Sequence, residues 1–223
     1  MDLLLPDSKK TVQIFAGFFE MTVASGYFEM ITFAGVHTAK MSDIAFHITD
    51  VVNNSLTAGA DSIEVELRVH EGNLFFAVTD NGCGMTPEVS SRVTDPFFTT
   101  RTTRPVGLGL PLLRQAAEQS GGSVSVTSRI GYGTRVEAHF VLDNIDCPPA
   151  GDIPEACTLL ISGSPNANII VMFECGAHSF KTSSREISDV LAGIPAGIPA
   201  ATSAILELLT SNYTEVFAGT LPD

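Results

Sequence analysis

Four short blocks rich in glycine, asparagine and aspartate occur in the middle of this chain, and they constrain its fold more than any other feature. The blocks are 50–55 (DVVNNS), 80–85 (DNGCGM), 107–110 (GLGL) and 131–134 (GYGT). Glycine allows tight turns and a close approach of the backbone to a ligand. No single block is specific, but their order suits the lining of a nucleotide pocket.

Composition places the chain among globular proteins and narrows its partners. A length of 223 residues with 44% hydrophobic residues is sufficient for one domain of ordinary size plus a smaller appendage. The net charge of −13 would repel a phosphate backbone, and the 12 lysines and arginines are scattered along the chain. Nucleic acid is therefore not expected as a partner.

The cysteines and the N-terminal segment favour a cytoplasmic protein. The four cysteines are far apart and form no Cys-x-x-Cys pair, so neither a zinc site nor a disulfide framework is indicated. The N-terminus lacks a basic region, and the apolar stretch 12–36 is interrupted by Glu20 and Glu29. Neither a signal peptide nor a transmembrane helix is predicted.

Periodicity predicts helices that alternate with mixed strands. Apolar residues at helical spacing predict a helix over 44–56, and strict alternation predicts a β-hairpin over 62–79. A second helix is predicted over 111–119, followed by strands over 123–128 and 135–142. The expected fold class is α+β, a two-layer α/β sandwich in which a mixed β-sheet carries helices on one face.

The two ends of the chain are less informative. Residues 1–40 show neither helical nor strand periodicity, whereas the Pro- and Gly-containing stretch 146–151 indicates a boundary. A helix, a hairpin and two further helices are expected after it. The predicted organisation is an N-terminal segment (1–40), a central domain (41–145) and a small C-terminal α+β module (146–223).

Asp50 and Asn54 are four residues apart on the first predicted helix, so their side chains project from the same face. A carboxylate beside an amide oxygen can hold a magnesium ion and orient a water or hydroxyl group. The alternative is a solvated polar stripe, and only the neighbouring blocks favour a site.

Asp80 ends a predicted strand and is followed by Gly82 and Gly84. Its carboxylate could accept a hydrogen bond from an exocyclic amine such as that of adenine. The alternative is a simple hairpin turn, because Asp-Asn-Gly is a common turn sequence.

Gly107 and Gly109 precede a helix predicted to begin at Pro111, so backbone amides and the positive end of the helix dipole would face a phosphate. No Walker-type Gly-Lys-Ser or Gly-Lys-Thr is present, which excludes a P-loop enzyme. The preceding hydroxyls and guanidinium groups at 99–104 suit a lid over phosphates, and a solvated loop is the alternative.

Together the blocks resemble the GHKL ATPase superfamily over residues 44–142, with its Bergerat-type ATP-binding fold. That superfamily contains histidine kinases, serine kinases, type II topoisomerases, heat-shock chaperones and MutL-type repair proteins. Residues 50–60 and 80–85 look most like the MutL type, whereas 95–100, 107–110 and 131–134 look like histidine kinases. Small stand-alone histidine-kinase-like ATP-binding proteins of bacteria are also similar.

The resemblance implies a role for each matching residue. Asn54 would ligate Mg, Asp80 would recognise adenine, Thr134 would support that contact, and Asp50 would act as the base, although members that hydrolyse ATP usually carry Glu there. The ATP-binding residues implied are Asn54, Asp80, Gly82, Gly84, Met85, Phe97, Thr99, Thr100, Arg101, Arg104, Gly107, Leu108, Gly109, Leu110 and Thr134. Arg101 or Arg104 would stabilise charge on the transferred phosphate.

Three hypotheses follow. The first is a protein kinase or ATPase that binds Mg-ATP and transfers the γ-phosphate to a protein partner or to water. The second is a non-catalytic adaptor that changes conformation when it binds ATP. The third, an ATP-dependent clamp, ranks last because residues 146–223 are few for a transducer domain.

Two further expectations concern the histidines and the oligomeric state. Neither His37 nor His47 has the sequence context of a phosphoacceptor histidine, so both are interpreted as structural or solvent-facing. A homodimer formed through the apolar N-terminal segment stays open.

Overall fold

The computed structural model describes residues 20–24, 27–32, 35–37, 43–95 and 109–222. The chain divides into two units, 1–43 and 44–223. In the first unit, β1 (Glu20–Ala24), β2 (Tyr27–Thr32) and β3 (Gly35–His37) form an antiparallel sheet in that order. Sequence periodicity did not reveal these strands, because runs of three to six residues are too short for a clear alternation.

The second unit contains six strands and six helices in its described part. The strands are β4 (Ser62–His70), β5 (Asn73–Asp80), β6 (Ser123–Arg129), β7 (Gly133–Val141), β8 (Asn168–Cys175) and β9 (His178–Ser183). The helices are α1 (Ile44–Thr57), α2 (Pro87–Ser90), α3 (Gly109–Gln119), α4 (Ile153–Gly163), α5 (Ser184–Val190) and α6 (Pro199–Phe217). The sheet order is β6-β7-β5-β4-β8-β9, and only the β4–β8 pair is parallel.

The β4–β5 hairpin follows from its sequence. Alternate residues of β4 are buried, and the turn residues Glu71 and Gly72 have positive φ values of 49° and 73°. Such a pair of left-handed residues matches the twist of the two strands it joins. The predicted hairpin is therefore confirmed.

Helices cover one face of the sheet, which confirms the predicted α+β architecture with a mixed sheet. The core consists of the inward residues of the strands and the apolar stripes of the helices, among them Ile48, Val52, Phe76, Phe140 and Phe173. The opposite face carries ion pairs instead. Its Arg135 guanidinium lies 3.0 Å from Glu66 and 2.9 Å from Glu137.

The C-terminal elements continue the same sheet. Strand β8 pairs with β4 along its whole length, and the amides of Ile44 and Ala45 donate to the carbonyls of Pro149 and Ala150 at 3.0 Å each. The turn signals at 146–151 are a local feature of the sequence. The pairing of β8 with β4 links residues more than 100 positions apart, so no local sequence pattern reveals it. Whether residues 146–223 act as a module of their own stays a prediction.

Candidate functional site

Three polar side chains form a row across the end of the sheet. The pairing register places Asp80 of β5 opposite Thr134 of β7, and Thr134 opposite Ser128 of β6. These three positions continue the inward-facing alternation of Val78, Val136 and Val126, so the side chains turn toward the helices. The three polar side chains therefore lie at the end of the sheet, directly beside the hydrophobic core.

The Asp80 carboxylate is held by donors from three parts of the chain. Its Oδ1 accepts from the Gly82 amide at 2.8 Å and from the Thr134 amide at 3.2 Å. Its Oδ2 accepts from the Ser55 hydroxyl at 2.7 Å. An ionised carboxylate has about four acceptor positions. Donors in the described part of the chain use three of them, which leaves one position on Oδ2.

The loop after Asp80 packs against the β6–β7 turn. The Met85 amide donates to the Ser128 hydroxyl at 2.8 Å, and the Gly131 amide donates to the Cys83 carbonyl at 2.8 Å. Gly84 has a φ of 68°, and a Cβ there would overlap the carbonyl of Arg129. This contact accounts for glycine at position 84, while its part in ligand binding stays a prediction.

Two residues of this cluster did not stand out in the sequence. Ser55 lies on the buried stripe of α1, where it occupies a position of apolar spacing, and Ser128 is the last residue but one of the edge strand β6. Besides accepting from Met85, the Ser128 hydroxyl lies 2.9 Å from the Thr134 hydroxyl. A serine at a position where the helical spacing predicts an apolar residue is the one sequence signal that could have indicated Ser55.

Asp50 and Asn54 do share one face of α1, as the spacing predicts. The Asn54 Nδ2 donates to Asp50 Oδ2 at 3.2 Å, and both side chains are half-buried. Hard oxygen donors of this kind fit Mg²⁺, which proteins usually bind through one or two carboxylates together with substrate phosphates. The described residues contain no cluster of three His, Cys, Asp or Glu side chains that could hold a metal without such a ligand.

Helix α3 begins at Gly109, two residues before the predicted start at Pro111. Proline is tolerated in the first turn of a helix, so Pro111 marks the turn and not its first residue. Gly109 and Leu110 therefore belong to the helix. The start of α3 packs closely against α1. A Cβ at Gly109 would overlap the Asp50 carboxyl group.

Several predicted site residues lie outside the described residues. They are Phe97, Thr99, Thr100, Arg101, Arg104, Gly107 and Leu108. Their proposed lid and phosphate contacts stay predictions.

His47 lies on α1, one turn before Asp50, and is only 2% exposed. Burial lowers the pKa of its imidazole to about 4, and neither ring nitrogen has a hydrogen-bond partner in the described structure. The residue is therefore a neutral core side chain, in agreement with the structural interpretation of its sequence context.

Comparison with known families agrees with this geometry. Residues 42–144 match the family described as histidine kinase-, DNA gyrase B- and HSP90-like ATPases. These residues are a GHKL ATPase domain. The matched segment contains Asp50, Asn54, Asp80 and Thr134, so the row of polar residues and the α1 pair both belong to an ATP-binding domain.

Relatives include several histidine kinases. The domain is 33% identical over 99 residues to the histidine protein kinase DivJ of Caulobacter vibrioides, and 35% identical over 78 residues to histidine kinase 1 of Arabidopsis thaliana. These matches cover 42% and 33% of this chain. The chain spans only 17% and 6% of the lengths of these relatives.

A more distant likeness involves a solved structure, the N-terminal domain of a DNA repair protein, with a TM-score of 0.45 and 15% identity. It covers 66% of this chain and 56% of that one, and it is too weak to bear on function. No helix in the described part of the chain has both the length and the apolar character needed to cross a bilayer.

Proposed function

We propose that this protein binds Mg-ATP between α1, α3 and the end of the sheet, and that it transfers the γ-phosphate to a protein partner or to water. The observation that carries the proposal is the Asp80 carboxylate, which backbone and side-chain donors hold in place at the edge of the core. The remaining acceptor position on Oδ2 suits the exocyclic amine of adenine.

The phosphate end of the proposed pocket is formed by α1 and the start of α3. The amide oxygen of Asn54 would hold Mg²⁺, which neutralises phosphate charge when it is bound. Asp50 would orient the attacking hydroxyl or water and accept its proton. The backbone amides at the start of α3 would face the phosphates.

A first experiment tests adenine recognition. Calorimetric titration should give stronger binding of Mg-ATP than of Mg-ITP, because inosine has a carbonyl where adenine has an amine. In Asp80→Asn the affinity for ATP should fall roughly 10- to 150-fold, as expected for a lost hydrogen bond to a charged group, and the preference for ATP over ITP should disappear. Unchanged ATP affinity in a folded Asp80→Asn protein would contradict the proposal.

A second experiment tests chemistry. The protein is incubated with γ-labelled Mg-ATP, alone and with extract of its host cells, beside the Asp50→Asn variant. Release or transfer of label that Asp50→Asn reduces roughly 10²- to 10⁴-fold, with binding retained, supports a kinase or ATPase. Binding without turnover under both conditions would instead support the alternative of a nucleotide-sensing adaptor.

A further inference from the structure

The start of α3 touches α1 through one unusual contact. Gly109 has no side chain, and the space that its Cβ would occupy is filled by the Asp50 carboxyl group. The three heavy atoms nearest to that Cβ position are Oδ2, Cγ and Oδ1 of Asp50. Apart from its chain neighbours and the backbone of its own helix, no other atom of the described residues comes as near.

The backbone of Gly109 does not require glycine. Unlike Gly84 and Gly133, this residue does not have a positive φ, and it lies within the first turn of a helix. Alanine is a better helix former than glycine, so helix propensity alone would favour alanine here. The close approach of the Asp50 carboxyl group therefore explains why this position carries glycine.

We propose that Gly109 is a positioning residue for Asp50: by lacking a side chain it lets the carboxylate lie against the first residue of α3, beside Asn54. This inference rests on the proposed function for its catalytic consequence, since Asp50 is the expected base. Gly109 has been expected only to cradle phosphate. The structure gives it a second role, which is to fix where the base lies relative to the phosphate-binding end of α3.

A double-mutant cycle on the melting temperature tests the contact between Gly109 and Asp50 without any nucleotide. Gly109→Ala should lower the melting temperature of the otherwise unchanged protein, because the methyl group displaces the Asp50 carboxyl group from its place beside Asn54. In an Asp50→Ala background all three atoms that crowd the methyl group are absent, so the same substitution should leave the melting temperature unchanged or raise it. Asp50→Asn keeps a side chain of the same size, so Gly109→Ala should still lower it there.

Gly163→Ala serves as the matched control. Gly163 also lies in a helix without a positive φ, and nothing lies within 4 Å of its Cβ position. This substitution should leave turnover unchanged and should leave the melting temperature unchanged or raise it. An equal effect of Gly109→Ala in the original and Asp50→Ala backgrounds would overturn the proposal, since the substitution would then act independently of Asp50.

The kinetic constants distinguish a positioning role of Gly109 from a general loss of structure. Gly109→Ala should reduce kcat roughly 10- to 100-fold with a smaller change in KM for ATP, because it displaces the base and not the adenine site. A change confined to KM would overturn the positioning role. If no variant and no original protein binds ATP, the proposed function fails, whereas the melting-temperature cycle still decides whether Gly109 acts through Asp50.

Discussion

The two ends of the proposed nucleotide site are built differently. At the adenine end, Asp80 is fixed by two backbone amides and one buried hydroxyl, which come from the sheet, the following turn and α1. At the phosphate end, Asp50 is placed by side-chain packing: it contacts Asn54 on its own helix and occupies space that Gly109 leaves open. Strand register sets the first end, and the packing of two helices sets the second.

This difference has a functional consequence. An acceptor held by backbone amides keeps its position as long as the sheet is folded, so the adenine end is expected to be preformed. The phosphate end depends on how α3 lies against α1. Substitutions at the first end should therefore change ATP affinity more than turnover, and substitutions at the second should change turnover more than affinity.

The largest effect is expected at Gly133, where β7 begins beside Asp80. Gly133 has a φ of 102°, and a Cβ there would overlap the Asp80 carbonyl, which is backbone and cannot turn aside. Gly133→Ala should cost about 3 kcal/mol or more of unfolding free energy, measured by urea denaturation.

Gly131 provides the control for this prediction. It lies in the same turn with a φ of 76°, but nothing lies within 4 Å of its Cβ position. Gly131→Ala should cost only about 1 kcal/mol, the strain of a left-handed alanine. Similar losses of unfolding free energy for both variants would show that only the backbone strain matters. The close backbone contact between Gly133 and Asp80 would then not hold the adenine end in place.

The next effect concerns His47 on α1, the helix that both ends share. Its folded-state pKa of about 4 lies below the usual value of 6.5 because burial disfavours the charged form. Between these values the unfolded chain binds more protons, so stability falls as pH falls. The loss between about pH 7.5 and about pH 5 should reach about 2 kcal/mol.

His47→Leu is the comparison variant for the pH experiment. Urea denaturation at both pH values should show a smaller difference for His47→Leu than for the original protein, since leucine does not titrate. An equal difference would mean that His47 is not the group responsible.

Ser55→Ala should have a smaller and more local effect. Removing the hydroxyl deprives Asp80 Oδ2 of its 2.7 Å hydrogen bond, which should weaken ATP binding by roughly tenfold, or about 1.4 kcal/mol. Thr57→Ala is the control, because the Thr57 hydroxyl donates to the Asn53 carbonyl on the exposed side of the same helix. Titration with Mg-ATP compares the two variants, and an effect of Ser55→Ala no larger than that of Thr57→Ala would contradict the role of Ser55.

The smallest predicted effect concerns the chemical reactivity of the cysteines. Cys83 is exposed in the loop between Gly82 and Gly84, whereas Cys157 is fully buried and its thiol pKa is raised to about 12. Iodoacetamide should alkylate Cys83 but not Cys157 in the native protein, as peptide mass spectrometry would reveal. Mg-ATP should slow the reaction at Cys83, and absence of protection would argue against adenine beside this loop.

Much of the fold could be predicted because its elements carry local signals. Helix α1 shows apolar residues at helical spacing, and the β4–β5 hairpin shows alternation around a Glu-Gly turn. The strands of residues 20–37 were not predicted, since they are short and lack alternation. The start of α3 was placed at Pro111 because a proline near a helix start is compatible with more than one first-turn position.

For this protein, the sequence by itself determined the class of fold, and it predicted four pocket blocks with Asp50, Asn54 and Asp80 as functional residues. Those properties depend on residue type and on spacing along the chain. Only the tertiary structure decided that β8 joins β4, that Ser55 and Ser128 support the Asp80 end, and that Gly109 faces Asp50. These contacts join residues far apart in sequence, and their geometry depends on strand register and helix packing, which no local pattern records.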